Sequence, residues 1–314
     1  MLADTQNYKA VSSIGNRLKQ FTRNLPENLK ETVDQYLTVP GSEISNAELF
    51  QMPFWMLLPD MFAMIWPEAN DDTVFGEDIL WAQLSVFLYF RIEDDLLDGD
   101  SDNELLRDAG QRFLEEGTAV FLNYFDPASQ FRDIYNNLLK GSKIALSKVD
   151  ELEKNFDTDH RALRVKYIEL AGLLNLASAA YCSRYNRMNE YDDLTGFGSN
   201  MSMAGQICDD LKDLEQDLKR NRYNYAGNIL LNRLREIEPE CGSSLDSVCR
   251  AMILTTGVDD LFSEIDGGLI DAENICNKLG LCDMKLLINF YRERTSLLRR
   301  HFQAKRADYF FNRI

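Results

Sequence analysis

From Ala128 to Glu238 the chain contains no proline. A proline inside a helix removes a backbone hydrogen bond and clashes with the preceding turn, so a stretch this long without one leaves room for several unbroken helices. Apolar residues recur at three and four through much of the chain. Val165, Ile168, Leu170, Leu173, Leu174 and Leu176 form one such series, and Leu286, Leu287, Phe290 and Leu297 another. No alternation of β-branched and polar residues exceeds a few positions, and the fold class this predicts is all-α. The pattern predicts helices over 8–22, 28–37, 45–66, 76–98, 103–124, 129–149, 159–187, 189–218, 226–236, 243–265 and 283–310. Leu170 to Cys182 is nearly apolar on every face, which predicts a central helix buried on all sides. No linker, repeat or low-complexity tract divides the chain, so residues 1–314 are expected to form a single-domain helical bundle.

Composition removes several functions. Acids outnumber bases 51 to 34, for a net charge of −17, and a surface this negative repels phosphate backbones and anionic membranes. No nucleic-acid partner is expected. Six cysteines without a CxxC pair and two distant histidines argue against a disulfide scaffold and against a zinc site. The N-terminal MLADTQNYKA has no apolar core, and the longest weakly polar run is too short to span a bilayer. The expectation is a cytoplasmic protein with no transmembrane segment.

Two acidic clusters stand out. In the first, Asp94 and Asp98 fall one helical turn apart, with Asp95 on their flank, at the end of a strongly apolar run from Trp81 to Tyr89. Stacked carboxylates in the last turn of a helix meet the negative end of its dipole, an unfavourable arrangement that a hard divalent cation would relieve. Arg91 lies one turn back on the same face and is placed to form salt bridges there. An EF-hand reading of Asp98, Asp100 and Asp102 is weak, because Asn103 stands at the turn-glycine position and Ala109 at the closing-glutamate position. In the second cluster Asp209, Asp213 and Asp217 recur at every fourth residue, Asp210 lies beside them, and Lys219, Arg220 and Arg222 follow directly. Like charges at that spacing destabilise a helix, so an ordinary surface seldom collects them. The bland alternative for either cluster is a solvated acidic helix face.

Asp94-Asp95-Leu96-Leu97-Asp98 resembles the DDxxD motif of the class I isoprenoid synthase superfamily, the helical terpene cyclases and trans-prenyl diphosphate synthases. Gln206-Ile207-Cys208-Asp209-Asp210-Leu211-Lys212-Asp213 is similar to the second motif of the prenyl-synthase branch, while Asp209, Asp213 and Asp217 match the cyclase pattern of three ligands spaced by four. The resemblance covers roughly Trp81 to Ile229. It implies Mg²⁺, as three ions, held with an isoprenyl diphosphate by Asp94, Asp95, Asp98, Asp209, Asp210, Asp213 and Asp217. It further implies a basic residue that senses the diphosphate a little over forty residues before Asp209, where Arg164 and Lys166 stand, and Arg220, just after the second motif, joins them in the expected catalytic set. Phe90 and Tyr89, four and five residues before the motif, occupy the chain-length positions and imply a ten- or fifteen-carbon substrate.

Chemistry agrees with the resemblance. Carboxylates cannot hold a diphosphate directly but can hold Mg²⁺ ions that bridge to it, and the allylic cation left by ionisation needs a dry, aromatic-lined cavity. Trp81, Phe87, Phe90, Tyr167 and Tyr181 lie on helices that could line one, although core packing is the plainer role for each ring. Lys219, Arg222, Tyr223 and Arg306 complete the expected substrate-binding set. The elongases' N-terminal glycine-lysine motif is missing before Phe75, and only the isolated Arg107 and Arg112 follow the first motif. One diphosphate site rather than two points to a cyclase. Against that, no adjacent arginine-tyrosine pair closes the chain, so Arg306 with Tyr309, or Arg299 and Arg300, must serve. The reading is thus a terpene cyclase. The alternatives are a chain-elongating prenyl diphosphate synthase and a non-catalytic acidic or calcium-binding helical protein, and a homodimer is compatible with each.

Overall fold

The computed structural model describes residues 9–38, 54–282 and 284–312. Among them every regular element is helical: α1 (Lys9–Arg23), α2 (Glu27–Thr38), α3 (Leu58–Ile65), α4 (Pro67–Asn70), α5 (Thr73–Leu97), α6 (Glu104–Asn123) and α7 (Gln130–Glu153). After these come α8 (His160–Ala171), α9 (Leu176–Arg184), α10 (Tyr191–Lys219), α11 (Tyr225–Ile237), α12 (Leu245–Leu254), α13 (Gly257–Leu279) and α14 (Met284–Asn312). One apolar cluster draws on every one of these helices and forms a continuous core.

The two acidic clusters lie on α5 and α10, and both helices are threaded through that core. Ile79, Leu80, Trp81 and Val86 of α5 and Met201 and Ile207 of α10 are sealed from solvent. Helix α5 packs along α6, and Gly117 of α6 permits the close approach, since a Cβ there would stand 2.7 Å from the Ala82 carbonyl oxygen. Helix α10 lies along α13, and α7 along α8. Asp98 closes α5 and Gly99 follows with φ of 72°, a left-handed conformation that glycine adopts without steric cost.

Three expectations need correction. The helix predicted over 159–187 breaks into α8 and α9 at a tight turn of 3₁₀ type, Gly172–Asn175. A break in mid-helix frees backbone groups that must find other partners. The buried Gln83 of α5 supplies two: its Nε2 donates to the Leu173 carbonyl at 3.1 Å, and its Oε1 accepts from the Ala177 N–H at 3.0 Å. Ser142 of α7 donates its hydroxyl toward the carbonyls of Glu169 and Leu170. The central run is therefore buried mainly over α9, from Leu176 to Cys182. The helix predicted over 243–265 divides at the extended Thr255, and α13 continues to Leu279. Of the helix predicted over 45–66, residues 45–53 lie outside the described residues, and the rest is a single turn, Phe54–Met56, followed by α3 with Pro59 in its first turn.

Candidate active site

A cavity of about 270 Å³ opens between α5, α8 and α10, and the break after α8 turns Leu173 and Leu174 into it. Its floor and walls are apolar, with Trp55, Phe87, Phe90, Tyr167, Met201, Met203 and Tyr291 among the lining residues. The polar lining includes Arg91 and Asp94 from α5 and Gln206 and Asp209 from α10. Helical geometry explains this division. Phe87, Phe90, Arg91, Asp94 and Asp98 form one stripe of α5, and Ser199, Ser202, Gln206, Asp209, Asp213 and Asp217 form one stripe of α10, each spanning roughly 100° of arc. Both stripes run from apolar or small residues to acids.

The acids differ in their surroundings. Asp94 is half-exposed, and its carboxyl is pushed up to about 7 by burial and by the charge of Asp98, against the pull of Arg91. Asp95 is buried: it accepts a 2.6 Å hydrogen bond from the Tyr36 hydroxyl and pairs with Arg91 at 3.1 Å. Asp98 lies 2.7 Å from the Arg222 guanidinium, but its buried Oδ1 lacks an aligned hydrogen-bond donor. Asp209 is exposed and pairs with Lys212 at 2.5 Å. Burial raises the Asp213 and Asp217 carboxyls too, and Asp217 accepts from the Asn224 side chain at 2.7 Å.

Asp210 points the other way. It is almost wholly buried, accepts from Gln206 at 2.7 Å, and accepts from the Ala226 N–H in the first turn of α11 at 3.2 Å. A carboxyl at a helix N-terminus meets the positive end of the dipole. Burial, reinforced by Glu153, still holds this carboxyl well above the usual carboxylate range.

Whether these acids suit a hard cation follows from the donor set. Asp94 and Asp209 reach one cavity from separate helices, and all the donors are carboxylate oxygens, which Mg²⁺ prefers. Among the described residues no three of them already converge tightly enough to grip an ion, so a ligand that supplies further oxygens would complete the site.

Two solved structures share this architecture. A geranylgeranyl pyrophosphate synthase from Corynebacterium glutamicum superposes with a TM-score of 0.71 at 14% identity, over 94% of this chain and 96% of that one. A geranylgeranyl pyrophosphate synthetase from Pyrococcus horikoshii superposes with a TM-score of 0.66 at 14% identity, over 91% of this chain and 98% of that one. The chain has the class I isoprenoid synthase fold. No family model matches its sequence, and no curated protein matches it in sequence either.

Within the isoprenoid synthase fold, several residues expected at the site have other partners. Arg164 pairs with Glu264 at 2.7 Å and Lys166 with Glu169 at 2.6 Å, and neither lines the cavity. Arg220 pairs with Asp100 beyond the first cluster, Lys219 with Glu215, and Arg306 with Asp259. Arg222 is buried against Asp98, Asp150 and Glu153. Tyr223 is buried, with its hydroxyl 2.9 Å from that of Ser243. Trp81 donates its indole N–H to Glu116, and Tyr181 packs among Phe62, Trp66 and Phe75, so both belong to the core rather than to the cavity. Tyr89 lies edge-on to Phe90 with Lys143 over its ring, and only Phe90 of that pair reaches the cavity. Trp55, Met203 and Tyr291 were missed. Trp55 and Tyr291 belong to segments outside the matched motifs, whereas the small residues Ser199, Ser202 and Gly205 leading to Gln206 and Asp209 were a signal that could have revealed the α10 wall.

Proposed function

We propose that this protein ionises a linear isoprenyl diphosphate with Mg²⁺ and cyclises or rearranges the resulting cation, releasing pyrophosphate. The observation that carries this reading is the joint placement of Asp94 and Asp209 at the mouth of an otherwise apolar, aromatic-lined cavity. Asp94 and Asp98 on α5, with Asp209, Asp213 and Asp217 on α10, are the residues that would hold Mg²⁺. When bound, the metal neutralises the diphosphate and makes it a better leaving group. The chain itself does the rest. Leu173, Leu174, Met201 and Met203 take up the hydrocarbon and exclude water from it, and the ring faces of Trp55, Phe87, Phe90 and Tyr291 are available to a passing cation. Asp95 and Asp210, each tied to neighbouring helices, fix the backbone that presents the exposed acids. The burial of Asp210 favours the cyclase arrangement of ligands, Asp209, Asp213 and Asp217, over one built on the adjacent pair.

A second reading, chain elongation with isopentenyl diphosphate, is favoured by the names of the two structures that share this fold. Incubation with geranyl, farnesyl or geranylgeranyl diphosphate and Mg²⁺, with and without isopentenyl diphosphate, separates the two. Hydrocarbon or alcohol formed without the co-substrate supports cyclisation, and a longer diphosphate formed only with it supports elongation.

A further inference from the structure

Among the described residues that line the cavity, Arg91 is the single cation. Its guanidinium stands 3.1 Å from the Asp95 carboxylate and 3.9 Å from that of Asp94, and its charge also acts on Asp213 across the cleft. The other basic residues near the two clusters do not line the cavity: Lys212 pairs with Asp209, Arg220 with Asp100, and Arg222 with three acids. A hydrocarbon chain seated in the apolar cavity would bring its diphosphate to the mouth, beside Asp94, Asp209 and Arg91. The position of Arg91 among the acids is otherwise awkward, because a cation bound at Asp94 would repel it.

We propose that Arg91 exchanges partners when the site fills, serving as counter-ion to Asp94 and Asp95 in the empty protein and as a ligand of the phosphate oxygens in the loaded one. This inference rests on the functional reading above and assigns the basic group which that reading lacks once Arg164 and Lys166 are found paired with Glu264 and Glu169. Three features make the exchange feasible. The Arg91 side chain is 54% exposed. Its planar fork of donors matches phosphate as well as carboxylate. Asp95 is not stranded when Arg91 leaves, because Tyr36 donates to its other oxygen, Oδ2, at 2.6 Å.

Calorimetric titration of the whole protein with inorganic pyrophosphate at saturating Mg²⁺, and with Mg²⁺ alone, tests the exchange. Arg91→Gln should weaken pyrophosphate binding at least tenfold while leaving Mg²⁺ alone bound as tightly as before or more so, since a competing cation is gone. Arg91→Lys keeps the charge but not the fork, and should fall between wild type and Arg91→Gln. It also serves as the test should the glutamine variant fail to fold. A purely structural Arg91 would move the melting temperature and leave the pyrophosphate affinity within twofold of wild type, a result that overturns the inference and spares the functional reading. Wild-type protein that binds no pyrophosphate with Mg²⁺ would overturn both.

Discussion

The Arg222 guanidinium lies 2.7 Å from the Asp98 carboxylate, which ties the turn after α10 to the end of α5 and so holds the two acidic clusters at a fixed separation. The same guanidinium meets Asp150 at 2.9 Å and Glu153 at 2.6 Å, and the Tyr167 hydroxyl donates to Glu153. Burial opposes its charge, but Glu153 and Asp98 outweigh that cost and hold the arginine firmly protonated.

Removing this hub should be expensive. Arg222→Met leaves Asp98 and Glu153 without their cation and Asp150 with Lys154 alone, and breaking a buried pair from one side typically costs about 3–5 kcal/mol. Urea denaturation at neutral pH should register a loss in that range, with Arg222→Lys intermediate. A loss below about 1 kcal/mol, the level of a surface ion pair, would mean the network is solvated and does not join the clusters.

Gln83 should matter out of proportion to its distance from the acids. It binds a carbonyl and an N–H at the break between α8 and α9, and Gln83→Leu would leave the Ala177 N–H unpaired in the core and the Leu173 carbonyl with the Leu176 N–H alone. Each unsatisfied buried group costs about 1–3 kcal/mol. The expected result is a lower melting temperature together with reduced turnover, because Leu173 and Leu174 would lose their placement in the cavity wall. An unchanged melting temperature would show that the break has another support.

Proton linkage at Asp94 sets a direction for pH dependence. The folded protein retains this proton up to about 7, while an unfolded chain releases it near an ordinary carboxylate value of ~4. Proton uptake therefore stabilises the metal-free fold progressively as pH falls through 7, and the gain is complete near ~4. Melting temperatures at pH 8 and pH 6 should differ less in Asp94→Asn than in wild type. Identical pH slopes would refute the assignment.

The two adjacent acids of the second cluster should behave oppositely. Asp210 is buried, accepts from Gln206 and from the Ala226 N–H of α11, and does not line the cavity, so Asp210→Asn should keep turnover within about threefold of wild type, a barrier change under about 1 kcal/mol. Asp209→Asn removes an exposed charge at the cavity mouth and should cost at least tenfold, about 1.4 kcal/mol in the barrier. The reverse order under steady-state assay would favour the elongase arrangement of ligands.

Much of the helical framework could be read from the sequence, because no proline interrupts α5, α6, α7, α10 or α14 and apolar residues recur along them at three and four. The breaks were not legible. The turn at Gly172–Asn175 depends on Gln83 and Ser142, residues of two other helices, and no local pattern encodes partners so remote in sequence. The acidic clusters were legible as motifs, but their division into exposed and buried acids was not. Asp210 is withdrawn because α11 begins beside it, and Asp95 because Tyr36 of α2 reaches across to it. For the same reason the basic residues Arg164 and Lys166 could be placed near the motifs in sequence but not in space: an acid on α13 or on the next turn of α8 had first claim on each.

Pyrophosphate release is the most direct test of the central claim. Purified protein should liberate pyrophosphate from at least one of geranyl, farnesyl and geranylgeranyl diphosphate when Mg²⁺ is present, stop when the metal is chelated, and lose at least tenfold in rate in both Asp94→Asn and Asp209→Asn. Release that persists in the two variants, or no release from any of the three substrates with Mg²⁺, would contradict the account.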